Sequence, residues 1–258
     1  MKSIVLKMLL FIILLYTGAT YMLYSTQDEK VFVRKHLSEC NVSKAKPISF
    51  QTNDGLTLEG AYLEQSKDAP LVLYFGGNAE NVLCFIENIA SKIKGYNFVA
   101  FNYPGYGKSE GKPSQEKILK YALELYKKYQ PSIVAGRSLG STVATYVASK
   151  EPVQKLLLIT PIDSIVNIAK SKFPYLPIGL LLKHPFEADK WMQNVQAKVA
   201  VVLVEDENIV PQKNQEQLLK AIKNLTFKKV IKGVNHNNLY NFPQTIQTLQ
   251  EALDSLKK

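Results

Sequence analysis

From residue 47 onward, short continuous apolar runs alternate with stretches in which apolar residues recur every three or four positions. The runs predict buried strands and the periodic stretches predict helices. The predicted strands cover residues 48–52, 56–62, 71–75, 97–102, 133–135, 155–160, 199–204 and 226–231. The predicted helices cover residues 81–94, 114–128, 139–148, 212–223 and 243–256. This alternation predicts an α/β fold with a mostly parallel central sheet and helices on both faces.

Two stretches depart from that alternation. The first two predicted strands are separated only by Asn53-Asp54-Gly55, and an Asp-Gly turn predicts an antiparallel hairpin at the sheet edge. Residues 161–197 are irregular, and we interpret them as a small lid insertion. The apolar run at 178–182 within it can line an acyl pocket or pack as a lid helix, and we favour packing.

The first thirty residues have a different pattern. Residues 8–15 are continuously apolar, and the apolar character continues to Leu23, near the short limit of the roughly 17–25 residues that span a bilayer. Three tyrosines suit the membrane interface: Tyr16, Tyr21 and Tyr24. We favour an uncleaved anchor over a cleaved signal peptide, because no clear cleavage site follows the apolar core.

The chain of 258 residues therefore divides into an anchor (or signal peptide) at 1–27, a linker at 28–46 and one α/β domain at 47–258. Lys2 and Lys7 precede the apolar run, while charged residues of both signs follow it from Asp28. Retention of the two lysines in the cytoplasm would place the domain outside it.

The net charge of +10 does not indicate nucleic-acid binding, because the lysines are scattered over predicted helix faces without interleaved aromatic residues. We interpret the charge as a solvated basic surface, with attraction to an anionic membrane as the better functional alternative. The two cysteines, Cys40 and Cys84, are too few for a disulfide framework. We favour two unrelated cysteines, although an exported domain could join them, and we expect no metal site.

The stretch from Gly136 to Gly140 carries the strongest chemical signal. A buried strand ends in Gly-x-Ser-x-Gly and continues as a helix, which is the context of a nucleophile elbow. Ser138 would lie at the tip of the turn, and the backbone N–H of Leu139, at the helix start, could donate to an oxyanion.

A serine nucleophile needs a base and an acid. Of the three histidines, His36 lies beside the anchor, and His184, next to Pro185 in the lid, is better explained by packing. His236 follows the last predicted strand, where a side chain can reach across the sheet to the serine. The acid should come between serine and histidine, which favours the acidic residues after strand 199–204: Glu205, Asp206 and Glu207.

From about residue 50 to its end, the chain resembles the α/β-hydrolase fold superfamily, and most of all its membrane-anchored serine hydrolases. The matching stretches are residues 73–81, 102–111, the elbow, 160–164 and 236–239. The resemblance implies an α/β-hydrolase fold and a serine esterase or thioesterase that needs no cofactor or metal.

The resemblance also implies residue roles. Ser138 would be the nucleophile, His236 the general base, and the backbone N–H groups of Asn78 and Leu139 the oxyanion donors. The first oxyanion loop of the family usually reads His-Gly-Asn-Ala. Gly76 stands here in place of the histidine, which leaves the backbone donor of Asn78 intact.

The acid of the family usually stands in Asp-x-aliphatic-aliphatic-Pro. Counting back from Pro211 reaches Glu207, a glutamate in the aspartate position. Asp206 would serve if the turn were one residue shorter, and Asp163 is a third candidate because the acid in this fold can lie one strand earlier. We rank them in that order.

The sequence thus predicts a membrane-tethered serine hydrolase that cleaves a carboxylic ester or thioester through an acyl-enzyme. The substrate would be a small-molecule or lipid acyl ester, and the domain would lie outside the cytoplasm. Two alternatives stay open, namely a peptidase or amidase on the same fold and a catalytically silent binding domain.

Overall fold

The central sheet has eight strands in the computed structural model, which describes residues 2–34, 37 and 39–257. In chain order they are β1 (Lys46–Gln51), β2 (Thr57–Leu63), β3 (Leu71–Phe75), β4 (Asn97–Phe101), β5 (Ile133–Arg137), β6 (Lys155–Ile159), β7 (Lys198–Asp206) and β8 (Leu225–Asn235). Their order across the sheet is β1-β2-β4-β3-β5-β6-β7-β8. Strand β2 pairs antiparallel with β1 and with β4, and the remaining pairs are parallel. The predicted parallel sheet with an antiparallel N-terminal hairpin is confirmed.

Helices precede, connect and follow these strands in the described residues. They are α1 (Lys2–Val31), α2 (Val82–Asn88), α3 (Gln115–Tyr129), α4 (Leu139–Lys150), α5 (Ile165–Lys172), α6 (Ile178–Leu181), α7 (Ala188–Met192), α8 (Gln212–Ala221) and α9 (Pro243–Ser255). Residues 161–197, between β6 and β7, contain α5, α6 and α7, and we keep the name lid for them.

The sheet is buried on both faces because successive strand residues point to opposite sides. On one face, Val134 and Leu158 belong to the core that includes Val143 of α4. On the other face, Leu157 belongs to the core that includes Leu249 of α9. Strands covered on both sides explain the continuous apolar runs in the sequence.

Most predicted bounds lie within two residues of the observed ones, and two elements differ by more. The helix predicted at 81–94 ends at Asn88 and is followed by a separate 3₁₀ turn at Ala90–Lys92. The strand predicted at 226–231 extends over Leu225–Asn235. It is an edge strand whose exposed positions include two lysines, Lys228 and Lys232, so its apolar pattern is shorter than its backbone pairing with β7.

Helix α1 is the described helix that is long and apolar enough to cross a membrane. Its 30 residues correspond to about 45 Å, whereas the hydrocarbon core of a bilayer is about 30 Å thick. The helix also runs past residue 28, where the predicted linker begins. Its last turns touch the domain, since Gln27 and Val31 are buried and Phe32 is 1% exposed.

The two cysteines form a disulfide, so the expectation that they are unrelated is wrong. The bond joins Cys40, ahead of β1, to Cys84 in α2. Beside it, Glu87 of α2 accepts hydrogen bonds from the backbone N–H groups of Ser43 and Lys44, each at 3.0 Å. The 44-residue separation concealed the pairing, because only the folded chain brings these two segments together.

Candidate active site

The turn between β5 and α4 holds Ser138 in a strained backbone conformation. Its φ of 49° and ψ of −117° lie outside the regions that residues with a side chain ordinarily adopt. A Cβ on Gly136 would collide with the backbone of Gly140, and a Cβ on Gly140 would collide with the carbonyl of Phe75. The two glycines therefore allow the sharp turn that raises the Ser138 hydroxyl above the ends of the strands.

His236 lies just after β8 and reaches this hydroxyl. Its Nε2 is 2.9 Å from Ser138 Oγ, and the residue is 3% exposed. The distance is that of a good hydrogen bond. Because β8 and β5 end at the same edge of the sheet, residues 98 positions apart in the chain become neighbours.

Glu207 lies after β7, on the other side of the imidazole. His236 Nδ1 is 2.8 Å from Glu207 Oε2 and 3.0 Å from Oε1. Oε1 also accepts the backbone N–H groups of Ile209 at 2.8 Å and Val210 at 3.0 Å. Burial raises the pKa of Glu207, but its bonds to His236 and to these N–H groups outweigh burial and leave that pKa below its usual value. Glu207 is therefore held as a carboxylate against the histidine.

The other acid candidates lie elsewhere. Asp206, the last residue of β7, is exposed. Asp163 is fully buried, and its carboxylate accepts hydrogen bonds from Asn167 at 2.7 Å and from Asn214 at 3.0 Å. The structure brings Ser138, His236 and Glu207 together and gives these two aspartates other surroundings.

The remaining histidines also differ from His236. His36 lies outside the described residues. His184 is packed in the lid, where its ring lies 4.9 Å from that of Phe32, and its Nε2 is 3.2 Å from Asp28 Oδ1. Its surroundings agree with the packing role that we predicted for it.

The two candidate oxyanion donors, Asn78 and Leu139, line the same cavity as Ser138. Leu139 is the first residue of α4, so its N–H has no acceptor within the helix. Gly76 stands where the family usually has a histidine. The Tyr103 hydroxyl donates a hydrogen bond to the backbone carbonyl of Gly76 at 2.8 Å and holds it in place.

Arg137 supports the loop of His236, although the sequence did not identify it as a site residue. Its Nη2 donates to the backbone carbonyl of His236 at 2.7 Å, and its Nη1 donates to Glu80 Oε2 at 3.0 Å. The same Glu80 oxygen accepts the N–H of Gly77 at 2.8 Å. Burial lowers the pKa of Arg137, but the charge of Glu80 outweighs it, so the guanidinium stays protonated. The sequence offered one signal for this role, namely a charged residue at the end of an otherwise apolar strand.

A cavity of about 490 Å³ opens over Ser138, within the size range of small-molecule sites. Most of its lining is apolar. It includes Leu23 and Tyr24 of α1, Ile165 of α5 and Ile178 of α6. If the carbonyl group of a substrate lay near Ser138, an apolar chain attached to it would be surrounded by apolar side chains.

Comparison with known proteins supports the fold. A family model described as the alpha/beta hydrolase fold matches residues 70–177. An uncharacterised Mycobacterium tuberculosis protein is 29% identical over 204 residues, which are 75% of this chain and 73% of that protein. The Danio rerio lysophosphatidylserine lipase ABHD12 is 28% identical over 222 residues, which are 71% of this chain and 58% of the lipase. The chain thus spans little more than half of that relative.

Solved structures also support the fold. The Pyrococcus furiosus esterase Pf2001 superposes with a TM-score of 0.65 at 17% identity, and the match covers 88% of this chain and 98% of the esterase. At this identity the likeness concerns the fold, and the predicted α/β-hydrolase fold is confirmed.

Proposed function

We propose that this chain, which has the α/β-hydrolase fold, is a membrane-tethered serine hydrolase that cleaves a carboxylic ester or thioester. One observation carries the proposal, namely the continuous hydrogen-bonded series from Glu207 through His236 to Ser138. Serine, histidine and carboxylate in this order are the parts of a nucleophilic triad.

The first half of the reaction forms an acyl-enzyme. His236 Nε2 takes the proton of the Ser138 hydroxyl as Oγ attacks the acyl carbonyl carbon. Glu207, at Nδ1, orients the ring and stabilises the imidazolium that results. The backbone N–H groups of Asn78 and Leu139 stabilise the oxyanion. His236 then gives its proton to the leaving alcohol or thiol as the tetrahedral intermediate collapses.

The second half releases the acid. A water molecule gives a proton to His236 and attacks the acyl carbon, and collapse of the second intermediate returns the proton to Ser138. Arg137, through the His236 carbonyl, keeps the histidine loop in place without touching the reacting atoms.

An acyl ester of a lipid is the substrate class that we favour. The apolar cavity over Ser138 supports it. So does the likeness to a relative named lysophosphatidylserine lipase, although this chain spans 58% of that protein.

The proposed location is a membrane, with the domain outside the cytoplasm. The apolar length of α1 supports the anchor. The disulfide between Cys40 and Cys84 supports an oxidising compartment, because such bonds are rare in the cytosol.

Labelling with a fluorophosphonate probe tests the proposal on the full chain in detergent micelles. The probe reacts with an activated serine, so wild type should be labelled and Ser138→Ala should not. Ser149→Ala, farther along α4, is the matched control and should be labelled like wild type. Both variants should melt within a few degrees of wild type. Labelling of Ser138→Ala, or no labelling of folded wild type, would contradict the proposal.

A further inference from the structure

The C-terminal part of α1 lies against the lid and is bonded to it at three places. The Tyr16 hydroxyl donates to the carbonyl of Tyr175 at 3.0 Å. Gln27 Nε2 donates to the carbonyl of Leu181 at 3.1 Å, and Gln27 Oε1 accepts the N–H of Lys183 at 2.7 Å. A buried side-chain amide whose nitrogen and oxygen are both hydrogen-bonded indicates a specific contact rather than a loose tether. The anchor and the lid are thus joined.

The same face of α1 forms a wall of the cavity over Ser138. Thr20, Leu23, Tyr24 and Gln27 line that cavity together with the nucleophile. These positions lie three, one and three residues apart, which is the spacing of one helix face. Met22, between them, points away and is 66% exposed.

The end of α1 also reaches the oxyanion loop. Asn78 Nδ2 donates to the carbonyl of Val31 at 2.9 Å, and Asn78 Oδ1 accepts the N–H of Val33 at 2.9 Å. The Tyr106 hydroxyl donates to the same oxygen at 2.8 Å. The backbone of Asn78 is the candidate oxyanion donor, so the last turn of the anchor helps to hold a reacting part of the site.

The cavity lies beside the part of α1 where its apolar segment ends. The apolar part of α1 ends near Tyr24, and its charged residues resume at Asp28. On the lid beside it, Tyr175 and Leu180 are each 89% exposed, and the chain at Tyr175 is bonded to Tyr16 within the apolar segment. Large exposed apolar side chains next to a spanning helix suit the bilayer interface.

We propose that α1 is a wall of the substrate site as well as an anchor, and that the acyl chain of a membrane lipid enters between α1 and the lid directly from the bilayer. Leu23 and Tyr24 then determine which acyl chains fit. This inference rests on the proposed serine hydrolase function, and it adds to it the source of the substrate and the residues that select it.

Chain-length preference tests the inference. The full chain is reconstituted in phosphatidylcholine nanodiscs and assayed with p-nitrophenyl acetate and p-nitrophenyl laurate. Leu23→Trp adds bulk inside the cavity, so the ratio of kcat/KM for laurate to that for acetate should fall at least about tenfold. Met22→Trp adds the same bulk one position away on the lipid-facing side, and its ratio should stay within about twofold of wild type.

A second variant keeps the test decisive if tryptophan at position 23 prevents folding. Tyr24→Ala enlarges the cavity, so the preferred acyl length should move upward in a series from acetate to palmitate. The inference is overturned if the folded variants keep the wild-type profile while wild type is labelled by the fluorophosphonate. If wild type itself is not labelled, the underlying hydrolase proposal fails instead, so the two failures are distinguishable.

Discussion

The described part of the chain contains two histidine–carboxylate pairs, and one of them faces a serine. His236 Nδ1 lies 2.8 Å from Glu207 Oε2, and His184 Nε2 lies 3.2 Å from Asp28 Oδ1. Both histidines are buried and each has a carboxylate beside it, so neither burial nor the presence of an acid distinguishes them.

The second ring nitrogen makes the difference. In His236 it faces the Ser138 hydroxyl, a group that can give up its proton. In His184 it accepts the backbone N–H of Gln115 at 3.3 Å, a donor that does not titrate. The His184 ring is thus occupied by structural bonds between α3, the lid and α1. A histidine acts as a base only where its free nitrogen meets a reactive group.

The carboxylates differ as well. The Glu207 side chain is 8% exposed and is held by backbone N–H groups, whereas that of Asp28 is 55% exposed. An exposed pair contributes little to stability, because water screens it. The first pair is therefore suited to catalysis and the second to fastening the end of α1.

The largest expected effect comes from replacing each histidine. His236→Ala removes the proposed base and should lower kcat for p-nitrophenyl butyrate by about 10⁴-fold or more. His184→Ala should lower it by less than about tenfold, because His184 holds the lid and does not touch the reacting atoms. If both variants lost the same factor in kcat, measured on protein with matched far-UV circular dichroism, the two histidines would not have different roles.

The acids provide the next test. Glu207→Gln should lower kcat by about 10³- to 10⁴-fold, since the amide cannot stabilise the imidazolium. Asp28→Asn and Asp206→Asn remove exposed carboxylates and should each cost less than about threefold. A greater loss in Asp206→Asn than in Glu207→Gln would move the acid to the neighbouring residue, and steady-state kinetics of the three variants decides.

The smallest effect concerns pH and stability. Burial lowers the pKa of His184 below its ordinary value of 6.5, and Lys183 adds to this, although Asp28 opposes it. The unfolded chain therefore binds this proton first as the pH falls, and stability is lost from about pH 6.5 downward. In His184→Gln the decrease in Tm between pH 7.5 and pH 5.5 should be smaller by about 1–4 °C. The fluorescence of Trp191 reports the melt, and an unchanged pH dependence would speak against the linkage.

Local patterns were enough to predict much of this architecture. The apolar runs identify the strands because both faces of the sheet are covered, and Gly136-x-Ser138-x-Gly140 identifies the elbow because a side chain at either glycine would collide with the backbone. Glu207 ranked first through its distance from Pro211, and the structure places it beside His236.

Two contacts between distant segments were not predicted. The Cys40–Cys84 bond was missed because the separation of two cysteines says nothing of whether their segments meet. Arg137 was passed over because its partners, Glu80 and the His236 carbonyl, lie 57 and 99 residues away.

The sequence by itself determined the strand–helix alternation, the strained turn at Ser138 and an apolar N-terminal helix, because each follows from periodicity or local sterics. The tertiary structure decided which of the three ranked carboxylates lies beside His236, and it alone placed α1 along the cavity over Ser138. These outcomes depend on how the strand ends and α1 converge at one edge of the sheet. Such convergence is a property of the folded chain, in which residues far apart in sequence become neighbours.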